Sequence, residues 1–183
     1  MRKALTLSGS VRSGSLNWQL AELMGQRMRD AGAEVTNINL ADFPMPLFDE
    51  AIEETSGAPE NSVALAELFA NADAIFIASP EYNGSVSPLL KNTIDWVSRQ
   101  KNRPYKNAIF GIGAVSPGKL SGMAGLSHLR DILGRLGALI APITLGVGHG
   151  AQVFDESGQL NEIALNARAD ELATQLMCIS RGG

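Results

Sequence analysis

The feature of this sequence that most constrains its fold is a regular alternation of short apolar segments with longer segments of helical periodicity. These short segments predict strands at residues 3–8, 34–40, 73–79, 107–114 and 138–147, of which 3–8 has the pattern of a buried strand. Apolar residues at helical spacing predict helices at 15–31, 59–70, 88–98, 122–136 and 160–179. Such strand–helix units imply an α/β protein with a doubly wound parallel sheet and helices on both faces.

One segment interrupts this alternation after the second predicted strand. Residues 42–48 include Pro44 and Pro46, and proline fixes φ and has no N–H to donate. We therefore predict that this segment is irregular.

The length and composition favour a single domain that neither binds nucleic acid nor inserts into a membrane. A length of 183 residues favours one domain over 1–183. The net charge of -4 gives no reason to expect nucleic acid or an anionic membrane as a partner. No apolar stretch approaches the roughly 20 residues of a membrane span, and no targeting segment is recognisable. Cys178 is the single cysteine and the histidines number two, which argues against a disulfide or a structural zinc site. We therefore expect a cytoplasmic protein without membrane insertion.

Polar residues follow the first predicted strand, in the segment 9–17, which reads GSVRSGSLN. Because this segment leads into a helix, free N–H groups and the positive end of the helix dipole favour an anion there. Arg12 adds a guanidinium that can pair with phosphate through two hydrogen bonds. Simple capping of the helix by Ser13 or Ser15 explains the same residues, so the segment alone leaves both interpretations open. It lacks the glycines of a dinucleotide fingerprint and the lysine of a Walker loop.

A second polar segment, SPEYNGS at 79–85, follows the third predicted strand. Pro80 and Gly84 indicate a turn, and Asn83 tolerates left-handed backbone geometry. Gly84 also lets the backbone approach a ligand closely, while Tyr82 can offer its ring to a planar group. An ordinary turn with an exposed tyrosine is the alternative. Since ligands of such folds bind at the carboxyl ends of strands, both segments are placed where a site is expected.

Four segments together resemble the NADPH-dependent FMN reductase family, which includes quinone, azo-dye and chromate reductases. They are GSVRSGSLN at 9–17, SPEYNGS at 79–85 with LLKNTIDW at 89–96, SPG at 116–118, and DFPMPLFD at 42–49. The resemblance spans nearly the whole chain, and its second segment is the most specific. Relatives often carry glycine where this chain has Lys119, which leaves the clearance near a flavin and the choice of donor open.

The resemblance implies a flavodoxin-like sheet of strand order 2-1-3-4-5, a bound FMN, and NADPH or NADH as co-substrate. It implies ping-pong hydride transfer from NAD(P)H to FMN and then to a quinone, azo compound, free flavin or metal oxyanion such as chromate. FMN would carry the chemistry, so no catalytic side chain is implied. A homodimer or homotetramer is also implied. The implied FMN contacts are Ser10, Arg12, Ser15 and Asn17 at the phosphate with Leu16 beside them, Pro80, Glu81, Tyr82, Asn83 and Gly84 along the ring, and Ser116 and Gly118 at its other edge.

Two other functions are compatible with the same fold. A flavodoxin-like electron carrier would bind FMN without turning over a substrate of its own. Carriers dock to redox partners through strongly charged faces, and the mild net charge of -4 argues against one. A regulatory or scaffold protein that keeps only the fold is the third alternative, and the full set of polar loop residues argues against it.

Overall fold

Five parallel strands form the centre of the fold in a computed structural model, which describes residues 1–118, 120–149 and 153–180. The strands of the described residues are β1 (Lys3–Ser8), β2 (Glu34–Ile38), β3 (Ala74–Ala78), β4 (Glu81–Tyr82), β5 (Ser85–Val86), β6 (Ile109–Val115) and β7 (Leu139–Val147). The large sheet has the order β2-β1-β3-β6-β7, and each neighbouring pair is parallel. The implied order 2-1-3-4-5 is therefore confirmed, with β4 and β5 forming a separate small hairpin.

Helices cover both faces of the sheet, as predicted. The α-helices of the described residues are α1 (Leu16–Asp30), α2 (Glu50–Ser56), α3 (Glu60–Ala70), α4 (Pro88–Ser98), α5 (Met123–Arg135) and α6 (Ile163–Cys178). Apolar side chains of α1 and α6 pack on one face, and those of α3, α4 and α5 pack on the other. No helix in the described ranges is long and apolar enough to cross a membrane.

Three predicted boundaries differ by two residues or more, and helix α2 was not predicted. Strand β6 begins at Ile109 rather than at residue 107. Helix α6 begins at Ile163 rather than at residue 160, because Leu160 pairs with Phe154 in an antiparallel bridge. Strand β2 ends at Ile38, since a short 3-10 turn begins at Leu40. Helix α2 was not predicted, and none of its residues is buried. It lacks the apolar stripe from which the other helices were recognised, and Asp49 caps its first turn by accepting from the Ala51 N–H at 2.8 Å.

The proline-containing segment predicted to be irregular at 42–48 is so from residue 43 onward, since Asp42 ends the 3-10 turn. Two side chains of α4 fix the segment on that helix. Asn92 accepts from the Phe48 N–H at 2.7 Å and donates to the Pro46 carbonyl at 2.9 Å. The buried Trp96 donates its Nε1–H to the same carbonyl at 2.8 Å. Its ring also meets Phe48 edge to face, with 4.9 Å between centroids. The segment therefore stabilises the helix that follows the hairpin.

Two glycines in β6 make room for an aromatic ring from the neighbouring strand. Phe76 of β3 is fully buried. A β-carbon on Gly113 would lie 2.8 Å from Phe76 Cζ and 3.0 Å from the Leu145 carbonyl oxygen. A β-carbon on Gly111 would lie 2.9 Å from Leu176 Cδ1. The close packing of β6 against β3 and α6 thus depends on the absence of side chains at these two positions.

Candidate functional site

Three loops meet at the carboxyl end of the sheet and enclose a cleft of about 140 Å³. They are the first loop (9–15, after β1), the hairpin loop (79–87, after β3, containing β4 and β5) and the third loop (116–118 and 120–122, after β6). The cleft is lined by Ser10, Arg12, Ser15, Leu16, Asn17, Pro80, Glu81, Tyr82, Val115, Ser116 and Pro117. Most of the residues implied as FMN contacts thus meet in one place; Asn83, Gly84 and Gly118 are in the same loops but do not line the cleft. Lys119 lies outside the described residues.

The first loop presents an open helix N-terminus to the cleft. Ser15 is the N-cap of α1 and accepts from the Trp18 N–H at 3.3 Å. The capping interpretation is therefore correct for Ser15, but its hydroxyl proton remains able to donate to a ligand. The N–H groups of Leu16 and Asn17, in the first turn, have no carbonyl within the helix to donate to. With the exposed guanidinium of Arg12 beside them, these groups suit an anion.

The Asn17 side chain is occupied by contacts within the protein. Its Oδ1 accepts from the Val115 N–H at 2.9 Å, and its Nδ2 donates to the Val115 carbonyl at 3.1 Å. The side chain is buried, and it joins the start of α1 to the end of β6. The implied contact of Asn17 with phosphate stays a prediction, and this geometry favours its backbone N–H over its amide.

Ser87 joins the hairpin loop to the first loop and was missed in the sequence analysis. Its hydroxyl donates to the Gly9 carbonyl at 2.6 Å and accepts from the Leu90 N–H at 3.2 Å. A serine directly before Pro88, at the first position of a helix, is a recognisable N-cap signal. That signal could have identified the cap, but not the contact with Gly9.

The turn predicted around Pro80 and Gly84 is a two-residue β-hairpin. Asn83 and Gly84 both have positive φ, at 50° and 74°, which is the geometry of a type I′ turn and the reason for Asn-Gly there. Tyr82 pairs with Ser85 across the turn, and the Tyr82 side chain is 50% exposed at the cleft. The Asn-Gly pair is the sequence signal by which the hairpin could have been found.

The Glu81 carboxylate joins the hairpin to α5. Its Oε2 accepts from the Gly125 N–H in the first turn of α5 at 2.8 Å. The N-cap residue of this helix is Gly122, which has no side chain to cap it. Glu81 therefore supplies the acceptor that the helix sequence lacks, and the negative charge suits the positive end of the helix dipole.

Replacing Glu81 by alanine should lower the free energy of unfolding by about 1 kcal/mol, because α5 loses its capping acceptor. Glu81→Gln should lose less, since the amide oxygen still accepts. Urea denaturation of the cofactor-free variants measures both changes. Asp49→Ala removes a cap from α2, away from the cleft. It shows how much stability the loss of one helix cap costs elsewhere in this protein. Equal stability of Glu81→Ala and the unmodified protein would contradict the capping role.

The third loop contributes Ser116 and Pro117 to the lining of the cleft. The Ser116 N–H donates to the Val147 carbonyl at 2.9 Å, which fixes the start of the loop to β7. The Ser116 hydroxyl accepts from the Gly118 N–H at 3.3 Å and folds the loop back on itself. The exposed Pro117 and Gly118 then follow without large side chains, so a flat group could approach this edge.

Other cavities are larger but contain fewer of the implied residues. One of about 650 Å³ is lined by Lys3, Glu34 and Asn71, near the amino ends of β1 and β2. No implied FMN contact lines it, and ligands of this fold class bind at the opposite edge of the sheet. Another of about 350 Å³ shares Ser10, Arg12 and Ser15 with the cleft, and none of the implied residues of the hairpin loop or the third loop lines it. The 140 Å³ cleft is therefore the candidate site.

Comparisons with known proteins identify the family of this chain and confirm its fold. The sequence profile described as NADPH-dependent FMN reductase matches residues 2–152. A quinone reductase of Escherichia coli K12 is 37% identical over 139 residues, which are 75% of this chain and 72% of the relative. An NAD(P)H-dependent FMN reductase of Pseudomonas aeruginosa is 33% identical over 94% of this chain and 90% of its own length. The structure of FerB, an NAD(P)H:(acceptor) oxidoreductase of Paracoccus denitrificans, superimposes with a TM-score of 0.80 at 20% identity, covering 99% and 100% of the two chains. At that identity the structural likeness concerns the fold.

Proposed function

This chain belongs to the NADPH-dependent FMN reductase family, and from that premise we propose that the cleft between its three loops holds the FMN of a quinone-reducing enzyme. The protein is an oxidoreductase that uses FMN with NAD(P)H as the electron donor. The observation that carries the proposal is the meeting of the first loop and the hairpin loop in one cleft. One of these loops suits an anion and the other suits a flat ring.

The residues present fit FMN at both of its ends. At the phosphate end we place Ser10, Arg12 and Ser15, with the free N–H groups at the start of α1. At the ring end we place the backbone of 80–84, where Gly84 has no side chain to block a close approach, together with Ser116 and Gly118. Bound FMN supplies the hydride-accepting and hydride-donating chemistry. The protein then has to bind FMN, to orient it, and to leave one side of its ring accessible to a substrate.

Tyr82 is the residue we assign to the mouth of the cleft. Its half-exposed ring offers a planar apolar face to a nicotinamide or a quinone. The family resemblance implies that donor and acceptor occupy the same place in turn, and we propose this ping-pong order. Quinones are the favoured acceptor class, because the Escherichia coli relative is named a quinone reductase. Azo compounds, free flavin and metal oxyanions such as chromate are further acceptors to assay.

Steady-state assays of the FMN-loaded protein test this function. Oxidation of NADPH or NADH should require both FMN and an acceptor such as a quinone or ferricyanide. Double-reciprocal plots at several acceptor concentrations should give parallel lines, as a ping-pong order demands. Bleaching of the flavin absorption by NADPH without an acceptor isolates the first half-reaction. Absence of turnover with either nucleotide would refute the reductase and favour the electron carrier.

The Arg12→Ala variant should bind FMN more weakly by about 1.5–3 kcal/mol, because a charge-assisted pair with phosphate is lost. Riboflavin, which lacks the phosphate, should bind both proteins equally. Titration of the cofactor-free proteins by flavin fluorescence measures all four affinities. Arg135→Ala, an exposed arginine at the end of α5, is the matched control. Unchanged FMN affinity in Arg12→Ala would remove Arg12 from the site.

We propose that the protein is a homodimer or homotetramer. The family resemblance supports this assembly, and light scattering at micromolar concentration tests it. A monomeric mass would contradict it. A cytoplasmic location stays a prediction from the sequence.

A further inference from the structure

The Ser87 hydroxyl lies where α4 meets the first loop and makes two hydrogen bonds there. Only 1% of Ser87 is exposed. The hydroxyl has one proton, which it donates to the Gly9 carbonyl, and its lone pair accepts from the Leu90 N–H. One buried group therefore caps α4 and also binds the backbone of a loop that starts far away in sequence.

The peptide group between Gly9 and Ser10 is held on both of its sides. Its carbonyl accepts from Ser87 at 2.6 Å, and its N–H donates to the Ser8 hydroxyl at 3.1 Å. The C=O and N–H of a trans peptide point in opposite directions, so two such bonds fix the orientation of the peptide plane. The preceding Gly9 N–H is also bound, to the Ala78 carbonyl at 2.9 Å. The direction in which the first loop leaves β1 is thus set by β3 and by Ser87.

We propose that Ser87 is a positioning residue, which fixes the phosphate-binding groups of the first loop relative to the hairpin that lines the flavin ring. The inference rests on the proposed placement of the FMN phosphate at the first loop. FMN joins its phosphate to its ring through one short chain, so the two subsites must be held at a matching separation. A loop that is already oriented avoids the cost of ordering it when the ligand binds. Ser87 does this without touching the cofactor.

Binding of FMN and of riboflavin to the cofactor-free variants tests this role. The unmodified protein should prefer FMN, since riboflavin makes no use of the first loop. Ser87→Ala should lose roughly tenfold in FMN affinity, the effect of one lost hydrogen bond to a buried carbonyl, and little in riboflavin affinity. Ser87→Thr keeps the hydroxyl and should restore the preference. Ser98→Ala is the matched control, because its hydroxyl lies at the other end of α4 and donates to the Asp95 carbonyl.

The outcomes separate a positioning role from a merely structural one. An equal loss for both ligands, or no loss for either, would overturn the inference and leave Ser87 as a helix cap alone. A protein whose unmodified form does not prefer FMN would refute the phosphate placement itself, and with it this role. If Ser87→Ala does not fold, Ser87→Gly replaces it, since glycine is tolerated at an N-cap and also lacks the hydroxyl. The preference for FMN should fall in that variant too.

Discussion

Replacement of Gly9 by valine is expected to weaken FMN binding by roughly ten- to hundredfold, the effect of forcing a side chain into a filled space. A β-carbon at this position would lie 3.0 Å from both Leu90 Cβ and Ser87 Oγ, and 3.1 Å from Pro80 Cδ. Valine adds two more carbons to that contact. Since all three neighbours belong to the hairpin loop or α4, the clash can be relieved only by separating the first loop from them. Flavin fluorescence titration measures the loss.

Stability should fall in the same variant, because overpacking of a buried site costs about 1–3 kcal/mol. Gly134→Ala in α5 is the matched control, since a β-carbon there meets nothing within 4 Å. That variant should bind FMN normally and be at least as stable as the unmodified protein, because alanine favours a helix more than glycine does. A Gly9→Val protein with normal FMN affinity would show that the two loops are not packed against each other as described.

Replacement of Gly113 by alanine should lower the free energy of unfolding by about 3 kcal/mol, at the upper end of overpacking effects. The added carbon would lie 2.8 Å from Phe76 Cζ and 3.0 Å from the Leu145 carbonyl oxygen. The first neighbour is a ring that could tilt, but the second is backbone in the adjacent strand and can move only with β7. Chemical denaturation of the cofactor-free protein measures the change.

A double mutant with Phe76→Leu tests the cause of that loss. Leucine alone should destabilise the protein, since the ring fills space above the β6 glycines. Combined with Gly113→Ala, it removes the closest contact of the new methyl group. The two losses should therefore be less than additive by about 0.5–3 kcal/mol, as expected for residues in contact. Strictly additive losses would show that the clash with Leu145, rather than with Phe76, dominates.

Most of the fold follows from local patterns in the sequence. Buried strands are continuous apolar runs and the covering helices are amphipathic, so both can be recognised from neighbouring residues alone. Helix α2 was not predicted because it buries none of its residues and begins at the Asp49 cap. The start of α6 was misplaced because Leu160 is apolar and in helical register, yet it pairs with Phe154. The periodicity of apolar residues predicts helices and strands one at a time, so it does not reveal which residues pair.

The candidate site was predictable as a set of residues but not as a set of contacts. Residue types at strand ends were enough to select the first loop and the hairpin loop. The family resemblance implied a phosphate contact for Asn17, and the structure shows that its side-chain amide is bonded to the Val115 backbone. Glu81 was implied only as a contact along the flavin ring, and the structure shows that its carboxylate also caps α5. In both cases the hydrogen-bond partner is far away in the sequence, and the sequence alone does not show that the two residues lie close together.

Those distant partners have a consequence for how the protein folds. Asn17 and Val115 are 98 residues apart, Gly9 and Ser87 are 78 apart, and Glu81 and Gly125 are 44 apart. Contacts of such long range form slowly, because the intervening chain must first be brought together. A nascent chain that ends after α4 has the Gly9–Ser87 bond available but neither of the other two. Capture of FMN should therefore come late in folding. Quenching of flavin fluorescence during refolding should appear only when β6 and α5 have packed against the first loop and the hairpin loop.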